Sequence, residues 1–287
     1  MGLRPARREG ILPSPGSSAK SAPPKRRIAA PEYLFARPLI EGLDRLPGVK
    51  FQVVTPPSLA DMLLCCQVDA ALVPAVDLQL VSGLTVVPAG CVASASRTLT
   101  ARIFSRVRPA RMSALWTDGQ AHTAVVLAQV LWSHCHNARL DIMPYEPEDA
   151  GGDEPEAVLL VGDKVVTAPP IGYDWQIDLG AMWHEMTGLP FVFAVWAASD
   201  PADCHDLYRI LTAARLRGTR DMERIVRDYA VPRDWPADLA SQYLTSHLQY
   251  DFGEAQREGM EEFFCLAADC GAIDELLPVR YYKPSVA

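Results

Sequence analysis

The chain has 287 residues, of which 49% are hydrophobic and 22% are charged, and its formal net charge is -8. This composition is ordinary for a globular enzyme and excludes a fibrous or wholly disordered protein. The acidic balance argues against a nucleic-acid surface, because phosphate binding depends on clustered lysine and arginine. No apolar run approaches the roughly 18 residues that a membrane span requires, so we expect no membrane-embedded segment.

The N-terminal segment differs in composition from the rest of the chain. Residues 1–26 are rich in proline, serine, glycine and basic side chains, which predicts a disordered basic tail. A secretory signal would require a long apolar run after these basic residues, and the sequence has none there. We therefore expect a cytoplasmic location. The seven cysteines lack a CxxC spacing, which favours reduced thiols over a disulfide framework or a zinc site.

Strand patterns and helix patterns alternate along the first third of the chain. Apolar, β-branched runs occur at residues 27–34, 51–56, 69–75, 84–94 and 99–107. Helical spacing of apolar residues separates the first three runs at 37–46 and 57–67, where Ser58 is a plausible N-cap. This alternation predicts an α/β protein with a parallel sheet covered on both faces.

A second cycle begins after Arg108-Pro109, where proline interrupts regular structure. Its strand and helix patterns are 111–117, 118–135, 139–145, 157–166 and 178–188, the last ended by Gly188. An apolar strand at 190–198 then returns the chain to the first sheet, and helices are predicted at 203–218, 221–230, 237–250 and 254–271. We predict lobe 1 from residues 27–108 plus 197–287, and an inserted lobe 2 from residues 109–196.

Three long segments carry a resemblance to a known family. YDWQIDLGAMWHEMTGLPFVFAVWA at 173–197, VLLVGDKVV at 158–166 and YLTSHLQYDFGEAQREGMEEFF at 243–264 resemble the chorismate dehydratases of menaquinone biosynthesis by the futalosine pathway. The resemblance implies a periplasmic-binding-protein-like type II fold, with two α/β lobes and a ligand cleft between them. It also implies elimination of water from chorismate to give 3-[(1-carboxyvinyl)oxy]benzoate.

Three segments that should line the cleft depart from the family pattern. The family's SYLNTxPL reads EYLFARPL at 32–39, so that Phe35 replaces an asparagine; SDGPVxS reads SASRTLT at 94–100; and TSSRTS reads GQAHTA at 119–124. The resemblance still places the substrate among these segments. The substrate-binding residues that we expect are Phe35, Ala36, Arg37, Ser94, Arg97, Thr100, Gln120, His122, Thr123 and Asp163.

Chorismate is a dianion, and helix beginnings with unpaired backbone N–H groups suit its carboxylates. Arg37, Arg97 and His122 are candidates for charge-assisted hydrogen bonds. For proton removal two bases remain open, namely the substrate's own enolpyruvyl carboxylate and Glu32, which follows the first strand. Asp163 follows another strand, where it either faces the cleft or caps a turn.

Other readings of the sequence concern ligands and activity. His134 and His136 flank Cys135 on one predicted helix without a partner pair, so we expect no metal, and nothing in the sequence indicates a cofactor. The expected partner is a small dianionic molecule, without nucleic acid or membrane, bound by a monomer or homodimer. Phe35 favours one alternative, a repurposed binding protein without turnover. The sister enzyme that forms dihydroxynaphthoate ranks last, because its Cys-Pro-Asn-Asp turn is absent.

Overall fold

A computed structural model describes residues 26–145 and 155–284. The predicted disordered tail lies outside these ranges except for Arg26. In chain order the strands are β1 (Arg26–Ala30), β2 (Val49–Val53), β3 (Ala70–Pro74), β4 (Thr85–Ser94), β5 (Ala101–Ser105), β6 (Ala114–Thr117), β7 (Asp141–Pro144), β8 (Ala157–Val161), β9 (Trp175–Asp178), β10 (Phe191–Ala198), β11 (Leu248–Gln249) and β12 (Arg280–Tyr281).

Ten α-helices pack around these strands in the described part of the chain. They are α1 (Arg37–Ile40), α2 (Leu59–Leu64), α3 (Asp77–Leu80), α4 (His122–His136), α5 (Lys164–Thr167), α6 (Leu179–Thr187), α7 (Cys204–Arg220), α8 (Met222–Ile225), α9 (Ala237–Gln242) and α10 (Glu254–Asp269). Within the same ranges, no helix has the length and apolar character needed to cross a membrane.

The first lobe is built on a seven-stranded sheet. Six of its strands have the order β11-β4-β10-β3-β1-β2, and the seventh, β12, pairs with β4. Strands β1, β2 and β3 are parallel, as the alternation of strands and helices predicts. Strand β10 runs antiparallel to both β3 and β4, so the sheet is mixed rather than purely parallel. The reason is that β10 enters this sheet directly from the second lobe and not through a crossover helix of the first.

The second lobe is built on a five-stranded sheet with the order β7-β6-β8-β5-β9. Strand β6 lies parallel to β7 and β8, whereas β5 lies antiparallel to β8 and β9. Helix α4 packs its buried face, including Leu127, Leu131 and Trp132, into the core that the two sheets share. The predicted two-lobed α/β architecture is therefore confirmed.

Strand membership differs from the predicted boundary near residues 106–112. Strand β5 was grouped with the first lobe, but it pairs with β8 and β9 in the second sheet. Conversely, β10 pairs throughout with first-sheet strands, although the sequence placed most of it in lobe 2. An apolar pattern predicts that a strand is buried but does not predict which strands pair with it. The pattern therefore does not reveal that the chain crosses between the two sheets at residues 95–100.

Two helix predictions show how local backbone conformation limits periodicity. The pattern at 37–46 predicts ten helical residues, but α1 ends at Ile40 because Gly42 adopts a φ of +74°. Helix α6 ends as predicted, since Gly188 occupies the left-handed C-cap with a φ of +72°. Ser58 precedes α2 as expected, but its side chain makes no capping hydrogen bond.

Asp178 fixes the first passage of the chain between the two lobes. Its carboxylate accepts hydrogen bonds from the backbone N–H of Thr98 at 3.0 Å and of Leu99 at 2.8 Å, both in the crossing segment. The same side chain caps α6 by accepting from Ala181 N at 3.1 Å. These bonds stabilise Leu99 in a left-handed conformation, with a φ of +64°, that a branched side chain rarely adopts.

We therefore expect Asp178→Ala to lower the free energy of unfolding by about 2–4 kcal/mol, because it removes a helix cap and leaves two loop N–H groups unpaired. Urea unfolding followed by circular dichroism measures this change. Asp174→Ala is the matched control, since Asp174 is exposed and lies four residues earlier. Equal effects of the two substitutions would contradict this role of Asp178.

Candidate functional site

A cavity lies between the two sheets, where β1, β3, β6 and β8 present their carboxyl ends. It contains about 740 Å³ of empty space, including the part that opens to solvent. Clefts at the carboxyl ends of strands are the usual ligand sites of α/β proteins. Both lobes contribute to the wall, whose residues are Pro31, Tyr33, Phe35, Pro56, Leu72, Pro74, Val92, Thr98, Thr100, Ala101, Asp118, Gln120, Ala121, His122, Thr123, Ala124, Val161, Lys164, Phe193, Ala194, Tyr243 and Leu248.

Much of the wall is apolar and aromatic. Phe35 lies next to Tyr33, with ring centroids 5.1 Å apart and planes tilted by 31°. Leu72, Val92 and Phe193 add aliphatic and aromatic surface from the first lobe. A planar ring of a ligand would find dispersion contacts and ring faces on this side.

The opposite part of the wall is the beginning of α4. Residues 120–124 line the cavity there, at the amino end of a helix of 15 residues. The first N–H groups of a helix lack intrahelical acceptors, and the aligned peptide dipoles favour negative charge at this end. This geometry suits a carboxylate.

His122 connects α4 to the first lobe. Its Nδ1 lies 3.0 Å from Oδ1 of Asp77, the first residue of α3. The hydrogen bond to Asp77 raises the pKa of the His122 imidazole above its ordinary value, although partial burial opposes this. Burial raises the pKa of the Asp77 carboxyl, and the bond to His122 works in the other direction. The contact therefore favours the charged form of both groups, whereas burial of Asp77 favours its neutral form.

Three further polar contacts hold the lobes together around the cavity. Thr123 Oγ1 accepts from Val76 N at 3.3 Å, beside the His122 contact. The Tyr33 hydroxyl donates to Gln120 Oε1 at 2.7 Å. The Asp163 carboxylate accepts a hydrogen bond from Leu34 N at 3.3 Å. Burial raises the pKa of this carboxyl group. These contacts join the segments after β1 and β3 to the second lobe.

Tyr33 of the first lobe packs directly against Gly162 of the second lobe. Gly162 has a φ of +84°, and a Cβ at this position would lie 2.9 Å from the Tyr33 ring. Nearby, the Lys164 ammonium forms an ion pair with the Asp118 carboxylate, and both side chains line the cavity. The charge of Lys164 is thus balanced within the wall.

Thr100 and Tyr243 form a buried polar contact in the wall. Their hydroxyl oxygens lie 2.6 Å apart, and the Tyr243 ring stacks on Trp235 with centroids 5.1 Å apart. Burial raises the pKa of the Tyr243 phenol, which therefore stays protonated and able to donate. Thr100 comes from the segment between the lobes and Tyr243 from the C-terminal helices, so the contact spans 143 positions.

The structure brings together five of the residues that the sequence predicts for substrate binding. Phe35, Thr100, Gln120, His122 and Thr123 all line the cavity.

Three of the other predicted residues lie in the segment after β1 and outside the cavity wall. Glu32 is exposed and forms an ion pair with Arg233 at 2.7 Å. The Arg37 guanidinium stacks on the Tyr229 ring, 3.5 Å from its centroid, and Ala36 is fully buried in the first-lobe core. Arg37 begins the four-residue helix α1, in which its side chain is directed to Tyr229 and away from the cleft.

The remaining predicted residues lie around the first crossing and at the end of β8. Ser94 donates its hydroxyl to the backbone of its own loop, 2.9 Å from Arg97 O, while the Arg97 side chain is exposed. Asp163 binds the Leu34 backbone and is not part of the wall. Trp116 in β6 packs against the small cluster around Phe104.

Some wall residues and supporting residues escaped sequence reasoning. Asp118 follows the predicted strand 111–117 and Asp77 follows the predicted strand 69–75 within two residues, and that position is the signal that would have found them. No comparable local signal marks Lys164, which lies inside the predicted strand pattern 157–166, or Tyr243, which lies inside the predicted helix 237–250. Within residues 26–145 and 155–284, no cluster of three or more His, Cys, Asp or Glu side chains is arranged to hold a metal ion.

Comparison with known proteins identifies relatives of this chain. A family model described as menaquinone biosynthesis matches residues 26–269. The chain is 26% identical over 257 residues to the chorismate dehydratase of Thermus thermophilus, covering 82% of this chain and 93% of that protein.

Two solved structures share the fold, at identities too low to carry more than the fold. A protein from Archaeoglobus fulgidus aligns with a TM-score of 0.68 and 13% identity, over 86% of this chain and 98% of its own. The periplasmic aliphatic sulphonate binding protein of Escherichia coli aligns with a TM-score of 0.64 and 11% identity, over 93% and 94% of the two chains. The predicted periplasmic-binding-protein-like fold is confirmed.

The Thr100–Tyr243 contact generates a prediction about the cavity wall. Thr100→Val should lower the free energy of unfolding by about 1–3 kcal/mol, because the Tyr243 hydroxyl then stays buried without a partner. Tyr243→Phe should have a similar cost, whereas the double variant should cost clearly less than the sum of both. Thermal unfolding of the four proteins measures this, and strictly additive costs would contradict the paired arrangement.

Proposed function

The chain belongs to the menaquinone biosynthesis family, and we propose that it is a chorismate dehydratase that converts chorismate to 3-[(1-carboxyvinyl)oxy]benzoate. The observation that carries this proposal is the cavity between the lobes, which pairs an aromatic wall with the beginning of α4. The similarity to the Thermus thermophilus enzyme along most of both chains supports it.

The shape and chemistry of the cavity suit this substrate. The chorismate ring would lie against Phe35 and the neighbouring apolar side chains, where water is excluded. One carboxylate would accept hydrogen bonds from the beginning of α4 and from Thr123, with Gln120 beside it. Thr100 and Tyr243 offer hydroxyl groups to the polar substituents of the ring.

The reaction breaks one C–H bond and one C–O bond of the ring and forms one new ring double bond. The proton leaves the carbon that bears the enolpyruvyl ether, the neighbouring hydroxyl departs, and both leave together as water. Because the product ring is aromatic, much of the driving force comes from the product. The protein then contributes mainly by orienting the substrate and stabilising charge.

The geometry favours the substrate's own enolpyruvyl carboxylate as the base over Glu32. The Glu32 carboxylate is exposed, is paired with Arg233 and lies outside the cavity wall. A general base must come within hydrogen-bonding reach of the proton that it removes. The role of this wall is therefore to hold the substrate so that its side-chain carboxylate reaches the ring hydrogen.

A second candidate function is binding of an aromatic or enolpyruvyl carboxylate without turnover. One specific observation favours it: Phe35 lines the cavity at the position where the resembled family carries an asparagine. An amide donates and accepts hydrogen bonds, whereas a phenyl ring offers only shape and a ring face. The shared fold of a sulphonate binding protein shows that this architecture also serves binding alone.

A turnover assay distinguishes the two functions. Purified protein incubated with chorismate should remove the diene absorbance and produce the carboxyvinyloxybenzoate, as identified by liquid chromatography and mass spectrometry. The double variant Thr123→Val/Gln120→Leu, which removes polar groups from the wall, should lose most of this activity. Tight chorismate binding by the wild-type protein without product would contradict the dehydratase and support the binding function.

The residue at position 35 tests how the ring is held. Phe35→Asn should weaken chorismate binding roughly tenfold, because about 1.4 kcal/mol of stacking and apolar contact is lost. Phe35→Leu is the control that keeps an apolar side chain and should bind at an intermediate level. A large gain in turnover by Phe35→Asn would instead show that the wild-type cavity has lost a catalytic amide.

A further inference from the structure

The contact between Asp77 and His122 has features that packing alone does not require. Asp77 is 3% exposed, and its second carboxylate oxygen, Oδ2, is buried without a hydrogen-bond partner in the described structure. Burying a carboxylate is costly unless a cation faces it. His122 supplies this partner through Nδ1 at 3.0 Å, and its ring also lines the cavity.

The roles of the two ring nitrogens follow from an ionised Asp77. An ionised carboxylate only accepts hydrogen bonds, so Nδ1 of His122 carries a hydrogen and donates it to Asp77. The nitrogen that gains or loses a proton is therefore Nε2. When Nε2 is protonated, the imidazolium has one N–H for Asp77 and a second one for another acceptor.

A positive charge on His122 would complement the other charged groups of the cavity wall. Lys164 lines the wall, but it is paired with Asp118 in the same wall. Asp61 in α2 adds negative potential at His122 and acts with Asp77 to favour the protonated ring. An anionic ligand would therefore meet a balanced Lys164–Asp118 pair and an imidazole whose charge depends on Asp77.

We infer that Asp77 is a positioning residue that holds His122 as an imidazolium in the cavity wall, and that this imidazolium binds a carboxylate of the ligand. The inference deepens the proposed function and rests on it for the identity of the ligand. Because Asp77 belongs to the first lobe and His122 to the second, the same proton also stabilises contact between the lobes.

A dependence on pH follows from this arrangement. The carboxylate binds best to the protonated ring, so affinity is highest at low pH and falls as pH rises through the pKa of His122. At a pH where the free ring is neutral, binding must be accompanied by uptake of a proton. The charged groups that act on His122 are Asp77 and Asp61, and the Lys164–Asp118 ion pair lies in the same cavity wall.

Calorimetry measures this proton directly. The reaction product, 3-[(1-carboxyvinyl)oxy]benzoate, is the probe because it is not consumed, and benzoate is a simpler second probe. Titrations from pH 6 to pH 9, in buffers of different ionisation enthalpy, should show uptake of up to one proton and an affinity that falls at least tenfold. His122→Gln should abolish the uptake and bind at least tenfold more weakly at pH 6.

Two further variants separate positioning from folding. Asp77→Asn should keep the proton uptake but move it to lower pH, because the neutral amide no longer favours the imidazolium. His122→Lys should bind as tightly at pH 9 as at pH 6, because its charge does not titrate there. His134→Gln is the matched control on the same helix, since the His134 ring contacts Val130 O and lies outside the wall.

The outcomes distinguish this inference from the proposed function. Proton uptake that persists in His122→Gln, or pH-independent binding by the wild-type protein, would overturn the inference even if chorismate is turned over. Proton-linked binding of the probes without turnover of chorismate would support the inference and count against the dehydratase. Absence of binding by both probes to the wild-type protein would overturn the inference as well.

Discussion

The site depends on a chain that passes twice between two sheets through short segments. Asp178 constrains the first passage by accepting hydrogen bonds from Thr98 and Leu99, while it also caps the helix that leads to the second passage. One carboxylate therefore binds both the loop and the start of the helix, and it stabilises the left-handed conformation of Leu99. Thr98 of this loop is part of the cavity wall, so the position of this part of the wall depends on the passage between the lobes.

The contact between the lobes consists of a few polar interactions around an apolar interior. Each neutral hydrogen bond of this type contributes roughly 0.5–1.5 kcal/mol net, so contacts such as Tyr33–Gln120 and Thr123–Val76 stabilise closure only modestly. A ligand that binds both walls has a comparable or larger effect on the equilibrium between open and closed arrangements. Closure governed by ligand binding is consistent with a fold that serves both binding proteins and enzymes.

Sequence reasoning succeeded where local pattern determines structure and failed where distant pairing does. The alternation of strands and helices predicted both lobes, and the segments near Phe35, Thr100 and His122 did reach the cavity. Glu32 and Arg37 lie in the predicted segment, but side-chain direction in a four-residue helix and pairing with Arg233 or Tyr229 do not follow from spacing. The sheet membership of β5 depends on strand pairing, which an apolar run does not encode.

Tyr33 and Gly162 determine how near the two halves come at the mouth of the cavity. Because the ring rests directly on the glycine backbone, even one methyl group at position 162 would act as a spacer between the halves. Tyr33 lines the cavity, so a displacement of its ring would alter the wall on that side. Gly162 thus influences the shape of the cavity through Tyr33, although it contributes no side chain of its own.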